Sequence, residues 1–287
     1  MKIYRFSIIL VFILILNTLA APFAFAKNAS ITKPKLNIVA LGDSITFGYP
    51  PPSTTAFPDL ISGARKVVKF GGSGATSSQL LAAINSNPKE FKASIKRADV
   101  ITINIGSNDF MQATGVATLF SKLQPLVSNL EENLANGKVA EAINNTPLTP
   151  LTPQQLQQYT TNLVTIIETI KKHTKAPILL YNLYNPIVIS SNEILNQFLG
   201  PLHTFVEGNV TVVNSIIQQV GDVSGAHVID AYSTFKTNPA AYIIPFDIHP
   251  TPAGHQALAT LADSKLQSLK KGGKEGKRDI GIGISFR

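Results

Sequence analysis

Four polar loops in this sequence follow apolar runs and carry residues suited to nucleophilic chemistry. Gly42-Asp43-Ser44-Ile45-Thr46 follows the run from Asn37 to Leu41; Gly42 permits a sharp exit, and Ser44 stands at a helix start with its hydroxyl free to leave it. Gly71-Gly72-Ser73-Gly74-Ala75-Thr76-Ser77 is a loop whose glycines let backbone N–H groups approach a ligand. Ile105-Gly106-Ser107-Asn108-Asp109 offers an amide donor beside a carboxylate, and Pro245-Phe246-Asp247-Ile248-His249-Pro250 offers a base that works near neutral pH. Each has a plainer reading when taken alone: Ser44 as a helix N-cap, Asn108 as a turn residue, His249 as a surface histidine. The glycine loop is no phosphate cradle, because it lacks both a G-K-[ST] ending and the G-x-G-x-x-G spacing.

Such residues act together only if the fold brings their loops to one place. Short Val-, Ile- and Leu-rich runs at Asn37 to Leu41, Lys66 to Phe70, Val100 to Ile105, Ile178 to Asn182 and His227 to Ala231 read as buried strands. Between and after them, helical periodicity covers Ser44 to Phe47, Ser77 to Asn85, Pro88 to Arg97, Val116 to Asn136, Pro153 to Lys172, Glu193 to Val220 and Pro252 to Lys270. This alternation predicts an α/β fold: a three-layer α/β/α, flavodoxin-like doubly wound sheet of about five parallel strands. Ligands of such sheets bind in the crevice beyond the carboxyl ends of the strands, where all four loops emerge or return. The Thr- and Pro-rich stretch from Asn144 to Pro153 reads as a surface hinge within one domain, and the insert from 110 to 154 has the pattern a lid would need.

In order and approximate spacing, from about Leu36 to Leu269, the four blocks resemble the GDSL, or SGNH, hydrolase family. That resemblance implies an enzyme, a carboxylic ester hydrolase, with Ser44 as nucleophile and His249 as base and then acid. It implies an oxyanion hole made of the Ser44 N–H, the Gly74 N–H and the Asn108 side-chain amide. The sequence departs from the family's D-x-x-H spacing, since Asp247 precedes His249 by only two residues. Asp247 is nonetheless the expected partner of the imidazole, with the Phe246 carbonyl as the alternative. No G-x-S-x-G nucleophile elbow occurs.

Other polar residues read as structural: Asp43 tying down the turn before Ser44, Asp109 bracing the Asn108 loop, Asp230 at a strand end, and His255 inside the last helix. His173, His203 and His227 lack partners at ligand spacing, so neither metal nor cofactor is expected. Ile45, Phe47, Phe110, Met111 and Ile248 could seat an acyl chain or simply pack.

Lys2 and Arg5 ahead of the apolar run Phe6 to Leu16, with Ala24-Phe25-Ala26 behind it, have the form of a secretory signal peptide over 1–26. The expectation is a secreted or extracytoplasmic protein, a hydrolase domain over 27–270 and a basic, Gly-rich tail over 271–287. With no cysteine there is no disulfide framework and no thiolate nucleophile. The net charge of +8 gathers partly in that tail, which lacks the interleaved aromatics of a nucleic-acid surface. Expected partners are therefore a small-molecule or lipid ester, with at most weak membrane or cell-wall contact; no nucleic acid and no protein partner is expected. The leading function is a lipase, lysophospholipase or carboxylesterase; a carbohydrate O-deacetylase is the alternative, and a non-catalytic binding module the second.

Overall fold

The computed structural model describes residues 35–49, 56–189 and 192–278, with side chains to residue 271 in the last helix; all lie in one compact unit, Lys35–Arg287. The expected signal peptide and the end of the basic tail lie outside the described residues.

In chain order the first half runs β1 (Leu36–Gly42), α1 (Ser44–Phe47), α2 (Phe57–Leu60), β2 (Ala64–Gly71), α3 (Ser77–Ser86), α4 (Pro88–Ile95), β3 (Val100–Asn104), α5 (Ser107–Thr114), α6 (Val116–Leu123), a 3₁₀ turn (Gln124–Asn129), α7 (Leu130–Ala135) and α8 (Lys138–Asn144). The second half runs α9 (Pro153–Lys171), β4 (Ile178–Tyr181), α10 (Glu193–Ser224), β5 (His227–Ile229), α11 (Ala231–Thr237), α12 (Pro239–Tyr242) and α13 (Pro252–Arg278). The five strands form one parallel sheet in the order β2-β1-β3-β4-β5, the flavodoxin-like doubly wound order.

Side chains alternate across a strand, and the two faces of the sheet separate accordingly. Val39, Leu41, Ile101, Ile103 and Leu180 enter a core shared with α3, α4, α9 and α10. Their neighbours Ile38, Val100, Leu179 and Tyr181 enter a second core with α2, α11 and α13. Each large aliphatic side chain so buried contributes about 1.5–3 kcal/mol, and this two-sided burial makes the strands read as continuous apolar runs.

The stretch expected as one helix from Val116 to Asn136 is broken. Pro125 cannot donate into a helical ladder, and a 3₁₀ turn separates α6 from α7. The insert is also tied to the body of the protein. Phe110, Met111, Val116, Leu119, Leu123 and Val139 enter the first core. The Leu151 N–H donates to Asn209 Oδ1 of α10 at 3.0 Å, while bonds from Lys122 Nζ to Asn145 O at 2.9 Å and from the Thr149 N–H to Thr114 O at 3.1 Å brace the insert internally. At the other end of the chain, α13 continues past Lys270 to Arg278: no proline interrupts it, and the three glycines of that stretch (Gly272, Gly273 and Gly276) cost only about 1 kcal/mol each in a helix.

Candidate active site

Strand register sets the site. Gly42 pairs with Gly71 on one side and with Asn104 on the other, giving three adjacent strands a common last row. Ser44, Gly74 and Asn108 follow that row by two, three and four residues, so all three reach the same crevice. The row needs its glycines: a Cβ on Gly42 would fall 2.3 Å from Asn104 O, and one on Gly71, at φ +116, would fall 1.9 Å from Gly42 O.

Asp43, not Ser44, is the N-cap of α1; its Oδ1 accepts from the Ile45 N–H at 3.0 Å. Ser44 is therefore the first helical residue, its side chain aimed into the crevice and 4% exposed. His249 Nε2 lies 2.8 Å from Ser44 Oγ, and His249 Nδ1 lies 2.5 Å from Asp247 Oδ1. A carboxylate only accepts, so Nδ1 must carry the proton, which leaves the Nε2 lone pair facing the serine hydroxyl.

The shortened spacing is taken up by the backbone. Phe246 sits at φ 56, the only left-handed non-glycine residue among the described residues, and the Asp247 N–H closes a turn onto Ile244 O at 3.0 Å. Such a conformation costs about 1–2 kcal/mol. It rotates the Asp247 side chain back over its own loop, where Oδ1 also accepts the N–H groups of Ile248 at 2.6 Å and His249 at 3.2 Å. Nδ1 thus faces the carboxylate and not the Phe246 carbonyl. Burial opposes ionisation of Asp247, but the His249 ring and these N–H groups outweigh it and hold the carboxyl below its usual range.

Asn108 is 6% exposed, and its Nδ2 reaches Ala75 O at 3.1 Å and Asp43 Oδ2 at 3.4 Å. Gly74 stands at φ +74 with open space where a Cβ would be. Its N–H and that of Ser44 have no hydrogen-bond partner among the described residues. Asp109 ties the Asn108 segment to the start of α3, accepting from the Ser77 N–H at 2.8 Å and Ser77 Oγ at 2.5 Å; burial raises its carboxyl against those bonds. Burial likewise pushes the Asp43 carboxyl up to about 7.

Two residues that the sequence pattern does not single out complete the setting. The Tyr49 ring lies 4.8 Å from the His249 ring. Buried Tyr184 donates its hydroxyl to Ile248 O at 2.6 Å, pinning the peptide between Asp247 and His249, and stacks on Phe235 at 4.2 Å. Tyr184 lies just past the end of β4, where the crevice rule points; nothing marks Tyr49. Of the candidate acyl-chain residues, Ile45 is packed in the second core and Phe47 is exposed. Phe110, Met111 and Ile248 line a slot with Leu183, Tyr184 and Val210, whose free volume is about 10 Å³. Asp230 caps α11 through the Ser233 N–H. His255 is buried, and both its ring nitrogens lack partners among the described residues.

A three-layer sheet carrying a serine, a histidine and an amide at its carboxyl edge defines a class of α/β hydrolases. The chain belongs to the GDSL-like lipase/acylhydrolase family, whose model matches residues 40–257, and it is an ester hydrolase. It has no match among curated proteins. Among solved structures, it is similar to a lipase from a goat rumen metagenome at 22% identity and a TM-score of 0.52, over 80% of this chain and 96% of the other. It is also similar to the lipase/acylhydrolase of Enterococcus faecalis (19% identity, 81% and 96% covered, TM-score 0.49). A variant of an acetyl-xylooligosaccharide esterase from Geobacillus gives 15% identity, 88% and 98% covered, and a TM-score of 0.46.

Proposed function

We propose that the protein is a serine esterase of the lipase, lysophospholipase or carboxylesterase type, working through an acyl-enzyme on Ser44. The observation that carries this reading is the unbroken line from Asp247 through His249 to Ser44, with contacts of 2.5 and 2.8 Å. Ser44 Oγ attacks the ester carbonyl while His249 Nε2 takes its proton, and the Asp247 carboxylate stabilises the imidazolium. The Ser44 N–H, the Gly74 N–H and the Asn108 amide meet the charge developing on the carbonyl oxygen; loss of one such donor costs about 3–4 kcal/mol of barrier. His249 then gives its proton to the departing alkoxide, and water releases the acyl group by the same steps in reverse roles.

Initial rates on p-nitrophenyl esters from acetate to palmitate, for the wild type and Ser44→Ala, test this. A chain-length optimum that vanishes with Ser44 is expected; activity surviving Ser44→Ala would remove Ser44 from the mechanism.

A second reading, a carbohydrate O-deacetylase, draws on two features of the site. The apolar slot beside the Asn108 and His249 loops has room for about one water molecule, close to the size of an acetyl methyl. Next to the glycine loop, a larger cavity of about 380 Å³ is lined by Thr76, Ser78, Gln112, Gln155 and Gln158 among apolar walls, groups that suit sugar hydroxyls. Turnover of acetylated xylan above that of octanoyl esters would favour this reading, and the reverse order would reject it. We also propose export with cleavage after Ala26; a mature amino terminus at Lys27, read by mass spectrometry of the exported protein, is the expected result.

A further inference from the structure

Asp43 is a buried ionisable group beside the nucleophile that the acyl-transfer steps leave unused. It is 1% exposed, and its two oxygens have separate partners: Oδ1 takes the Ile45 N–H at 3.0 Å, and Oδ2 faces Asn108 Nδ2 at 3.4 Å. The other contact of that amide nitrogen is Ala75 O at 3.1 Å. A backbone carbonyl and a carboxylate only accept, so together they require the nitrogen of Asn108, and not its oxygen, to lie on their side.

From this, and resting on the serine-esterase reading above, we infer that Asp43 is a positioning residue for the oxyanion hole, its carboxylate fixing which end of the Asn108 amide is presented beside Ser44. Only the nitrogen end can donate to an oxyanion. An amide turned end for end would place its oxygen, another partial negative charge, where charge develops in the transition state. The contact to Oδ2 is the longer of the two, so it orients the amide while leaving an N–H easily drawn to substrate oxygen. The role differs from capping α1, because Oδ1 alone serves the cap.

The ionised form reinforces the orientation that Ala75 O also favours; a neutral carboxyl can donate, and so weakens the preference against the turned amide. Burial raises the Asp43 carboxyl to about 7, so this change falls in the neutral range. The groups that bear on its charge are His249, Asp109, Tyr159 and Tyr184.

Two variants separate orientation from capping. Asp43→Ser keeps an acceptor for the Ile45 N–H, since serine is a good N-cap, but removes the acceptor facing Asn108. Asp43→Asn keeps the cap through its oxygen and turns an NH₂ toward the Asn108 nitrogen, which favours the wrong amide orientation. On p-nitrophenyl acetate, kcat is expected to fall in the order wild type, Asp43→Ser, Asp43→Asn, with KM nearly unchanged. The loss for Asp43→Asn should be about 10-fold or more, bounded by the roughly 10²–10³-fold cost of losing one donor. Asn108→Ala added to Asp43→Asn should cost much less than Asn108→Ala alone, because the two act on one interaction. Full additivity, or unchanged kcat in folded Asp43→Asn, overturns the inference while leaving the esterase reading intact. A harmless Asn108→Ala overturns the oxyanion assignment itself. Should the Asp43 variants not fold, nuclear Overhauser contacts of the Asn108 side chain in the wild type decide: its NH₂ protons should lie on the side of Ala75 and Asp43, and an amide turned end for end refutes the role.

Discussion

Replacing Asp43 by asparagine tests the buried carboxyl through stability as well as turnover. In the folded protein it titrates at about 7, against an ordinary 3.8, and burial is the main cause. Between those values the folded state holds a proton that the unfolded chain has released, so stability falls as pH rises through this window. Each tenfold difference in proton affinity between the two states corresponds to about 1.4 kcal/mol. The full difference, reached above the folded value, therefore amounts to about 4 kcal/mol at alkaline pH. Asparagine is nearly isosteric, accepts the same Ile45 N–H and does not titrate. Its stability relative to the wild type should be similar near pH 4 and should improve by about 4 kcal/mol toward pH 9, a change of about 10 °C in Tm for a domain of this size. Urea unfolding of both proteins followed by circular dichroism at half-unit pH steps measures this, because titrations of groups away from Asp43 cancel in the difference. Parallel stability curves would refute the reasoning and mean that Asp43 ionises at low pH in the folded protein. A gain in stability joined to a loss in turnover would mark Asp43 as a group kept for function at a structural cost.

Asp247→Ala should lower kcat by about 10²–10⁴-fold by removing the acceptor on His249 Nδ1; near-wild-type turnover would hand that role to the Phe246 carbonyl. His255 has its pKa lowered to about 4 by burial and by the charges of His249 and Lys69. The unfolded chain binds a proton there that the folded protein refuses, so His255 should cost up to about 3 kcal/mol of stability as pH falls from 6.5 to 4; His255→Leu should flatten that part of the curve, and an unchanged acid slope would count against it. Gly42→Ala should impair folding or expression outright, since its Cβ would stand 2.2 Å from Thr46 Oγ1 and 2.3 Å from a backbone oxygen; a soluble variant with wild-type Tm would contradict the strand-end packing.

Some features of this protein are fixed locally and are legible in the chain. The five strands are Val-, Ile- and Leu-rich because both faces of a parallel sheet are covered, and each empties into Gly, Asn, Asp or Ser. Three of the family blocks lie in those loops and the fourth just before the last helix, so Ser44, Gly74, Asn108 and His249 can be singled out without coordinates. The break at Pro125 is equally local but is masked, because the apolar period continues across it. The short helices α2, α11 and α12 carry too few turns for periodicity to reveal.

Other features belong to no local segment. Which strand neighbours which is decided by burial over the whole sheet, and only that order places Gly42, Gly71 and Asn104 in one row and draws three loops into one crevice. The Asp247 side chain faces His249 despite the shortened spacing because Phe246 adopts a left-handed backbone and Tyr184, 64 residues away in sequence from Ile248, pins the loop. The contact between Asp43 and Asn108 likewise joins residues 65 apart. Sequence determined the reactive groups and the strands that carry them, since both depend on side-chain chemistry and short-range pattern; tertiary structure decided their distances, desolvation and orientation, since those depend on what packs across the crevice.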